Sequence, residues 1–388
     1  MNKTAQSAFR FVLVLGIANL FADMTYEGAR SVTGPFLGSL GANAAVIGFT
    51  AGFGELIGHG LRSLSGLISD RTGKYWIATI TGYCINMLAV PALALAGNWP
   101  LAAGLVVAER TGRAIRKPST DAMLSFAGKQ IGHGWVFGLN EALDQAGATI
   151  GPLLISLNLF QHRSYQHGFA ILLLPALVTI AIICAARHFF PHPHQLEAGV
   201  EIHPTGLPLS YWLYVAAGAF VAAGFADFSL IAYHFQHSGT IRVELIPVLY
   251  AVAMLMGSIG ALVFGKLLDR MGPRVLFVAI ILGALFAPLV FFGGITTAAI
   301  GVVVWGIGLA AQGSSLRAVL STIISRNKRG TGFGVFDMVF GIAWFIGSWI
   351  MGLLYDHSLF TLVVFSVVMQ LLALPLFFLA RARTQATT

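Results

Sequence analysis

The sequence predicts an all-α integral membrane protein of twelve transmembrane helices arranged as two pseudo-symmetric six-helix bundles. Three observations predict it. Of the 388 residues, 57% are hydrophobic and only 10% are charged, against about 25% charged in an ordinary water-soluble domain. A chain so poor in charge cannot clothe a normal aqueous surface. The apolar residues gather into windows of about 20 or more, the length that one bilayer crossing requires. A segment rich in Gly, Asp and Arg returns after almost half the chain, as an internal repeat does.

The apolar segments follow in order at 9–37, 43–69, 75–97, 99–123, 132–159, 167–188, 209–235, 241–268, 274–294, 297–321, 331–354 and 358–380. They lack the alternation of a porin strand and are too long for one, so they read as helices. The first keeps Asp23, Glu27 and Arg30 within it and has no small-residue cleavage site, so it is expected to stay as a span. Lys and Arg set the orientation. With the N-terminus inside, Lys3, Arg10, Arg71, Lys74, Arg116, Lys117, Lys129, Arg187, Lys266, Arg270, Arg274, Arg326, Lys328, Arg329, Arg381 and Arg383 fall on the cytoplasmic side, and only Arg163 and Arg242 on the other. Both termini are therefore expected in the cytoplasm. The polar connection 189–208 reads as a linker between a first bundle, 1–188, and a second, 209–388. Cys84 and Cys184, both inside apolar runs, offer neither a disulfide framework nor a cysteine metal site.

The repeat is specific. Gly66-Leu-Ile-Ser-Asp70-Arg71-Thr-Gly73 returns 199 residues later as Gly265-Lys-Leu-Leu-Asp269-Arg270-Met-Gly272. Phe137-Gly138, Glu141 and Gly151 return 196 residues later as Phe333-Gly334, Asp337 and Gly347. Gly66 to Lys74, read as G-x-x-x-D-R-x-G-K, resembles the signature loop between helices 2 and 3 of the major facilitator superfamily, and Gly265 to Gly272 sits where that family repeats it. Helix number, midpoint linker and orientation agree over the whole chain. The fuller pattern of Glu109-Arg110-Thr-Gly112, Pro118-Ser-Thr-Asp121-Ala, Phe137-Gly138 and Ala142-Leu-Asp144 to Gly151-Pro152 is similar to a branch of bacterial 12-helix permeases. The resemblance implies the fold of that superfamily, a bacterial cytoplasmic (inner) membrane and a transporter working as a monomer on a small molecule.

Ionisable groups inside a bilayer cost about 2.5 to 3.5 kcal/mol each on insertion scales and normally face a cavity or a partner. Predicted helices 3, 6, 9 and 12 have none in their cores, whereas the other eight each carry at least one. That rhythm places the clean helices against lipid; the resemblance implies likewise that helices 1, 4, 7 and 10 line a central cavity. Asp23, Glu55, Glu109 and Asp144 lie about 15 to 20 Å from their predicted helix ends, near mid-depth. Asp23, Glu27 and Arg30, and again Glu55, His59 and Arg62, are spaced i, i+4, i+7 and form polar stripes; Glu141 and Asp144 do so at i, i+3. Arg110 accompanies Glu109, and the second half is sparser, with Asp227, Arg317 and Asp337 as its pathway candidates. Because desolvation disfavours a charged carboxylate, Asp23, Glu55 and Asp144 are the preferred proton carriers, with His59 able to share. Within the helices of the first half these acids outnumber their basic partners Arg30, Arg62, Arg110 and Arg113, which points to a cationic or zwitterionic substrate.

The expected function is secondary active transport, proton-coupled, exporting a small organic molecule. The alternative is a proton symporter importing an anionic metabolite onto Arg30, Arg110 and Arg317; an intramembrane enzyme or a non-transporting sensor is remote. Gly147-Ala-Thr-Ile-Gly151-Pro152 is similar to the G-x-x-x-G-P motif of antiporters in the superfamily, which supports export, although Leu153-Leu-Ile replaces the usual following glycine pair. No Walker loop, Rossmann fingerprint, His-Glu-x-x-His or nucleophile elbow is present, so no enzyme, no cofactor and no metal is expected beyond the proton as coupling ion. His188, His192, His194 and His203 in the linker are proline-separated and stand in a loop without Cys or clustered acids, which argues against a metal there. Basic residues dispersed in short loops argue against nucleic acid. Resemblance implies that Asp70 and Arg71 latch the two halves on the cytoplasmic side, with Asp121 a candidate partner for Arg71 or Lys74. Asp70→Asn is accordingly expected to abolish transport while leaving membrane insertion intact, measured by flux beside quantitation of protein in the membrane.

Overall fold

The computed structural model describes residues 3–131, 133–191, 208–323 and 329–385. Among them no strand forms. A chain that crosses lipid must close its backbone hydrogen bonds within each segment, which leaves the helix as the solution for apolar runs of this length. The helices are α1 (Lys3–Arg30), α2 (Thr33–Ser39), α3 (Ala44–Thr72), α4 (Tyr75–Ala92), α5 (Trp99–Ile131), α6 (His133–Phe160), α7 (Tyr165–Ile171), α8 (Leu173–Phe189), α9 (Leu209–Gly224), α10 (Phe228–Ser238), α11 (Ile246–Met271), α12 (Val275–Phe292), α13 (Ile295–Ile323), α14 (Arg329–His357) and α15 (Leu359–Gln385). They fall on the predicted segments, three of which are broken into helix pairs.

Two of the breaks have a local cause in side-chain hydrogen bonding. Between α1 and α2 the hydroxyls of Ser31 and Thr33 turn back onto the carbonyls of Gly28 (2.6 Å) and Ala29 (2.9 Å), and Pro35 lacks an N–H. Between α9 and α10 the Asp227 carboxylate accepts the N–H of Ser229 at 2.9 Å and starts a new helix. The carbonyls freed there are taken up by side chains. Ser366 donates to Gly224 at 2.6 Å, and the Trp305 indole donates to Ala226 at 2.9 Å. That is how a transmembrane helix tolerates interruption.

Among the described residues, nine spans are long and apolar enough to cross a bilayer on that criterion alone. α5 and α6 are not among them. Charge is concentrated on α5, which continues in helical form to Ile131, beyond the predicted end at 123. A window of apolarity ends at charges; a helical backbone does not, and the Lys117–Asp121 pair at 3.1 Å spans one turn there.

The chain forms two compact units, Met1–Gly41 with Ile57–Val200, and Ala42–Leu56 with Glu201–Thr388. In the first unit the most extensive helix contacts are α1 with α6 and α4 with α5; in the second, α11 with α13 and α9 with α15. The first half of α3 belongs to the second unit, where Asp356 on α14 accepts the N–H groups of Ala44 (3.2 Å) and Ala45 (3.0 Å). Phe49 and Phe53 pack there on Phe345.

The α1–α6 seam rests on glycine. A methyl group at Gly147 would lie 2.1 Å from the Leu20 carbonyl oxygen, and one at Gly151 2.1 Å from that of Met24. In the second unit Gly347 meets the Ala223 carbonyl at the same 2.1 Å, so the sequence echo of Gly151 and Gly347 is also an echo of packing. Gly73 and Gly272, which end the duplicated loops, share a positive φ, 66° and 62°, which glycine adopts without steric cost. Gly151→Leu is expected to destabilise the protein by at least the ~1 to 3 kcal/mol of an overpacked core. Gly104→Leu, where a Cβ meets nothing within 4 Å, is expected to be tolerated; thermal unfolding of both variants in detergent checks the pair.

Candidate functional site

The charged helices of the first unit converge on one buried side chain, Arg116 of α5, which is 2% exposed. Its Nε donates to Asn86 Oδ1 at 3.2 Å and its Nη1 to Asn19 Oδ1 at 3.3 Å. Its guanidinium carbon stands 4.3 Å from the centre of the Tyr83 ring and 5.8 Å from that of Tyr26. From this hub two arms extend. Along one, the Tyr83 hydroxyl donates to the same Asn19 oxygen, Asn19 Nδ2 donates to Asn140 Oδ1 at 2.7 Å, and Asn140 Nδ2 donates to Asp144 Oδ2 at 3.0 Å. Along the other, Asn86 Nδ2 donates to the Glu109 carbonyl at 3.0 Å and to Oε1 at 2.8 Å, while Glu109 Oε2 pairs with Arg110 Nε at 3.2 Å.

Helical spacing supplies the geometry. Asn19, Asp23 and Tyr26 share a stripe of α1 at i, i+4, i+7, and Asn140 and Asp144 share one of α6 at i, i+4. The Tyr26 hydroxyl donates to Asp23 Oδ1 at 2.6 Å, and Arg113 lies 4.5 Å from the Tyr26 ring centre. Asp23 thereby sits within the electrostatic reach of Asp144, Arg113 and Arg116. Each cation–π contact contributes roughly 0.5 to 2 kcal/mol, and the charge-assisted bonds add to it. The cluster holds separated charges of both signs joined by amides and phenols, which is equipment for binding a polar solute and for passing a proton, and it lacks a nucleophile–base pair.

Several sequence expectations take a different form. Glu27 and Arg110 are buried, and Arg30 is half-buried. Glu55, His59 and Arg62 lie along α3 as spaced, but Glu55 belongs to the second unit and the other two to the first. Glu141 does not join Asp144: it is exposed and accepts from Gln145 Nε2 at 2.8 Å. Asp121 pairs with Lys117 rather than with Arg71 or Lys74, because Lys117 stands one helical turn away on the same helix. Asp227 is a helix cap, and Asp337 is half-buried on α14. The side chains of Asp70, Asp269 and Arg317 lie outside the described residues, as do His192, His194 and His203. Among the described residues no His, Cys, Asp and Glu group is placed to hold a metal.

Arg116, placed by the topology reading among the basic residues of the cytoplasmic side, is a buried residue of the bundle, its charge met by acceptors on α1 and α4. The third predicted helix, expected to face lipid, carries exposed apolar residues such as Ile77 and Leu88 and also turns Tyr83 and Asn86, both fully buried, into the network. Asn19, Tyr26, Tyr83, Asn86 and Asn140 lie outside the predicted site because it rests on charged groups and these side chains are neutral. For Asn19, Tyr26 and Asn140 the available signal is helical spacing to Asp23 and Asp144; Tyr83 and Asn86, on α4, carry no such signal.

Against this fold and cluster, a sequence model of the Major Facilitator Superfamily matches residues 15–348 and 215–388. The chain is 38% identical to an uncharacterized protein of Mycobacterium tuberculosis over 388 residues, covering 98% of this chain and 95% of that one. It is 26% identical over 370 residues to an uncharacterized MFS-type transporter of Methanocaldococcus jannaschii, covering 92% and 91%. The crystal structure of the nucleoside transporter NupG superimposes with a TM-score of 0.76 over 96% of this chain and 98% of that one, at 13% identity, a likeness of fold. Family match, helix order and buried polar interior converge: the chain belongs to the major facilitator superfamily.

Proposed function

We propose that this multi-pass membrane protein is a proton-coupled secondary transporter that works by alternating access and exports a small organic molecule. Asp144 carries the proposal. Its Oδ2 is held by Asn140, whereas its Oδ1 is buried and has no hydrogen-bond partner among the described residues. A proton placed on that oxygen neutralises a carboxylate to which the site offers no donor on one side. Asp23, within its field, is the second carrier.

In the cycle, protonation from outside weakens the hold of these acids on the substrate, and release of the proton to the cytoplasm restores it. One proton moving down 100 mV supplies about 2.3 kcal/mol, enough to sustain roughly fifty-fold accumulation. With Arg113 and Arg116 set among the acids, the surplus of negative charge that favoured a plain cation is removed. A zwitterion is the better complement, its ammonium towards Asp23 and Asp144 and its carboxylate towards Arg113. The pairing of Arg110 with Glu109 weighs against import of an anion onto that arginine, and the likeness of Gly147, Gly151 and Pro152 to the antiporter motif supports export.

A thermal-shift screen against amino acids, short peptides and amphipathic amines supplies the ligand for the test. Proton-driven uptake of that ligand is expected in inverted vesicles; uptake confined to right-side-out vesicles overturns export. Asp144→Asn is expected to reduce substrate-driven proton movement to background in dye-loaded proteoliposomes while binding persists. Undiminished proton movement in the Asp23→Asn, Asp144→Asn double variant overturns the carrier assignment. Arg116→Leu is expected to cost about 1 to 3 kcal/mol of stability, the penalty for leaving buried amide acceptors unsatisfied, read as a lowered unfolding temperature, whereas Asp144→Asn preserves it.

A further inference from the structure

Outside the polar cluster, the first unit carries a cavity of about 380 Å³ between the second half of α3, the start of α4 and Ile115 of α5. Its walls are hydrocarbon: Leu61, Leu64, Ile68, Ile77, Ala78 and Ile115. Of the four hydroxyls that share the lining, those of Ser65, Ser69 and Thr72 are already used, Ser65 donating to the Ile115 carbonyl at 2.8 Å, Ser69 bonding Ser119 at 2.8 Å and Thr72 donating to Ile68 at 2.7 Å; the fourth is that of Thr81. The cavity therefore offers an incoming molecule little except apolar contact. It opens outward from the bundle, since Leu64, Ile68 and Ile77 are each more than half exposed (55%, 53% and 52%). A polar solute gains nothing there, and an acyl chain does.

One end of this groove is charged. Lys74 lines the cavity where α3 gives way to α4, and it is exposed, as is Arg71 beside it. Lys74 also precedes the first turn of the 18-residue α4, whose free N–H groups add positive potential at the same point. A hydrocarbon slot inside the bilayer with a cation at the level of the helix ends matches one molecule of the membrane. We propose that the α3–α4 groove is a binding site for an anionic phospholipid, with an acyl chain along Leu64, Ile68 and Ile77 and the phosphate beside Lys74.

The site is tested on the full chain in phosphatidylcholine nanodiscs carrying trace phosphatidylglycerol, or trace phosphatidylcholine, with a photoactivatable group in the acyl chain. After irradiation, the label is mapped by peptide mass spectrometry. Label is expected to concentrate on residues 61–81, and more from phosphatidylglycerol than from phosphatidylcholine. Lys74→Gln is expected to lower phosphatidylglycerol labelling there about five-fold, the effect of one basic residue at an anionic lipid surface, and to leave phosphatidylcholine labelling unchanged. Lys74→Arg is expected to retain the preference, and Ala78→Phe, which fills the slot, to remove labelling by both lipids. Label spread evenly onto the exposed face of α15, equal labelling by the two lipids in the unsubstituted protein, or cross-links to a second copy of the chain in place of lipid would each overturn the proposal. The readout does not depend on transport, so its failure is separable from failure of the transport assignment.

Discussion

An arginine cannot shed its charge, and that fact governs the interior of the first unit. Carboxylates and imidazoles have the option of neutrality when buried; a guanidinium does not. Placing Arg116 inside a bundle therefore demands acceptors and π-faces from every helix that surrounds it. Asn19, Tyr83, Asn86 and Tyr26 meet that demand. Each of these in turn has donors or acceptors to satisfy, which recruits Asn140, Glu109 and Asp23, and through Asn140 reaches Asp144. The network is thus the consequence of one immovable positive charge. Its ends are the titratable groups, where a change of protonation alters local hydrogen bonding without leaving the arginine uncompensated.

The glycine seam is what makes this placement possible. Asn19 and Asp23 on α1 reach Asn140 and Asp144 on α6 only because the two helices touch backbone to backbone at Gly147 and Gly151. A wider separation by one methyl layer would break the Asn19–Asn140 bond of 2.7 Å. The small-residue motif of α6 and the acids one or two turns before it are therefore a single device, packing that sets the spacing of chemistry.

Much of this was legible in the sequence, and the limits have physical reasons. Apolar length located the spans to within a few residues, since nothing but a helix satisfies the backbone in lipid. It could not see the interruption between α9 and α10, where a single carboxylate, Asp227, competes locally with the helix and distant side chains compensate the loss. The acids Asp23, Glu109 and Asp144 stood out by their cost in a bilayer. Arg116 did not, because proximity to Lys117 and Pro118 suggested a helix end, whereas the i, i+4 pairing of Lys117 and Asp121 carries α5 through that stretch. Asn and Tyr were invisible to a search for charge, although in low dielectric a neutral amide partner is as necessary as an ion.

The repeat divides its labour unequally. Backbone features recur in both units: the positive-φ glycines Gly73 and Gly272, and the close approaches at Gly151 and Gly347. Among the described residues the side chains do not. Where the first unit buries Arg116 among amides, the second buries a packed set of rings, with Phe225 lying 5.0 Å from Phe286, 5.9 Å from Trp305 and 5.8 Å from Trp344. Its interrupted helix has its free carbonyls occupied by Ser366, Gln370 and Trp305, so those oxygens are committed to holding the fold. Duplication preserved what sets helix spacing, and divergence acted on what faces the interior.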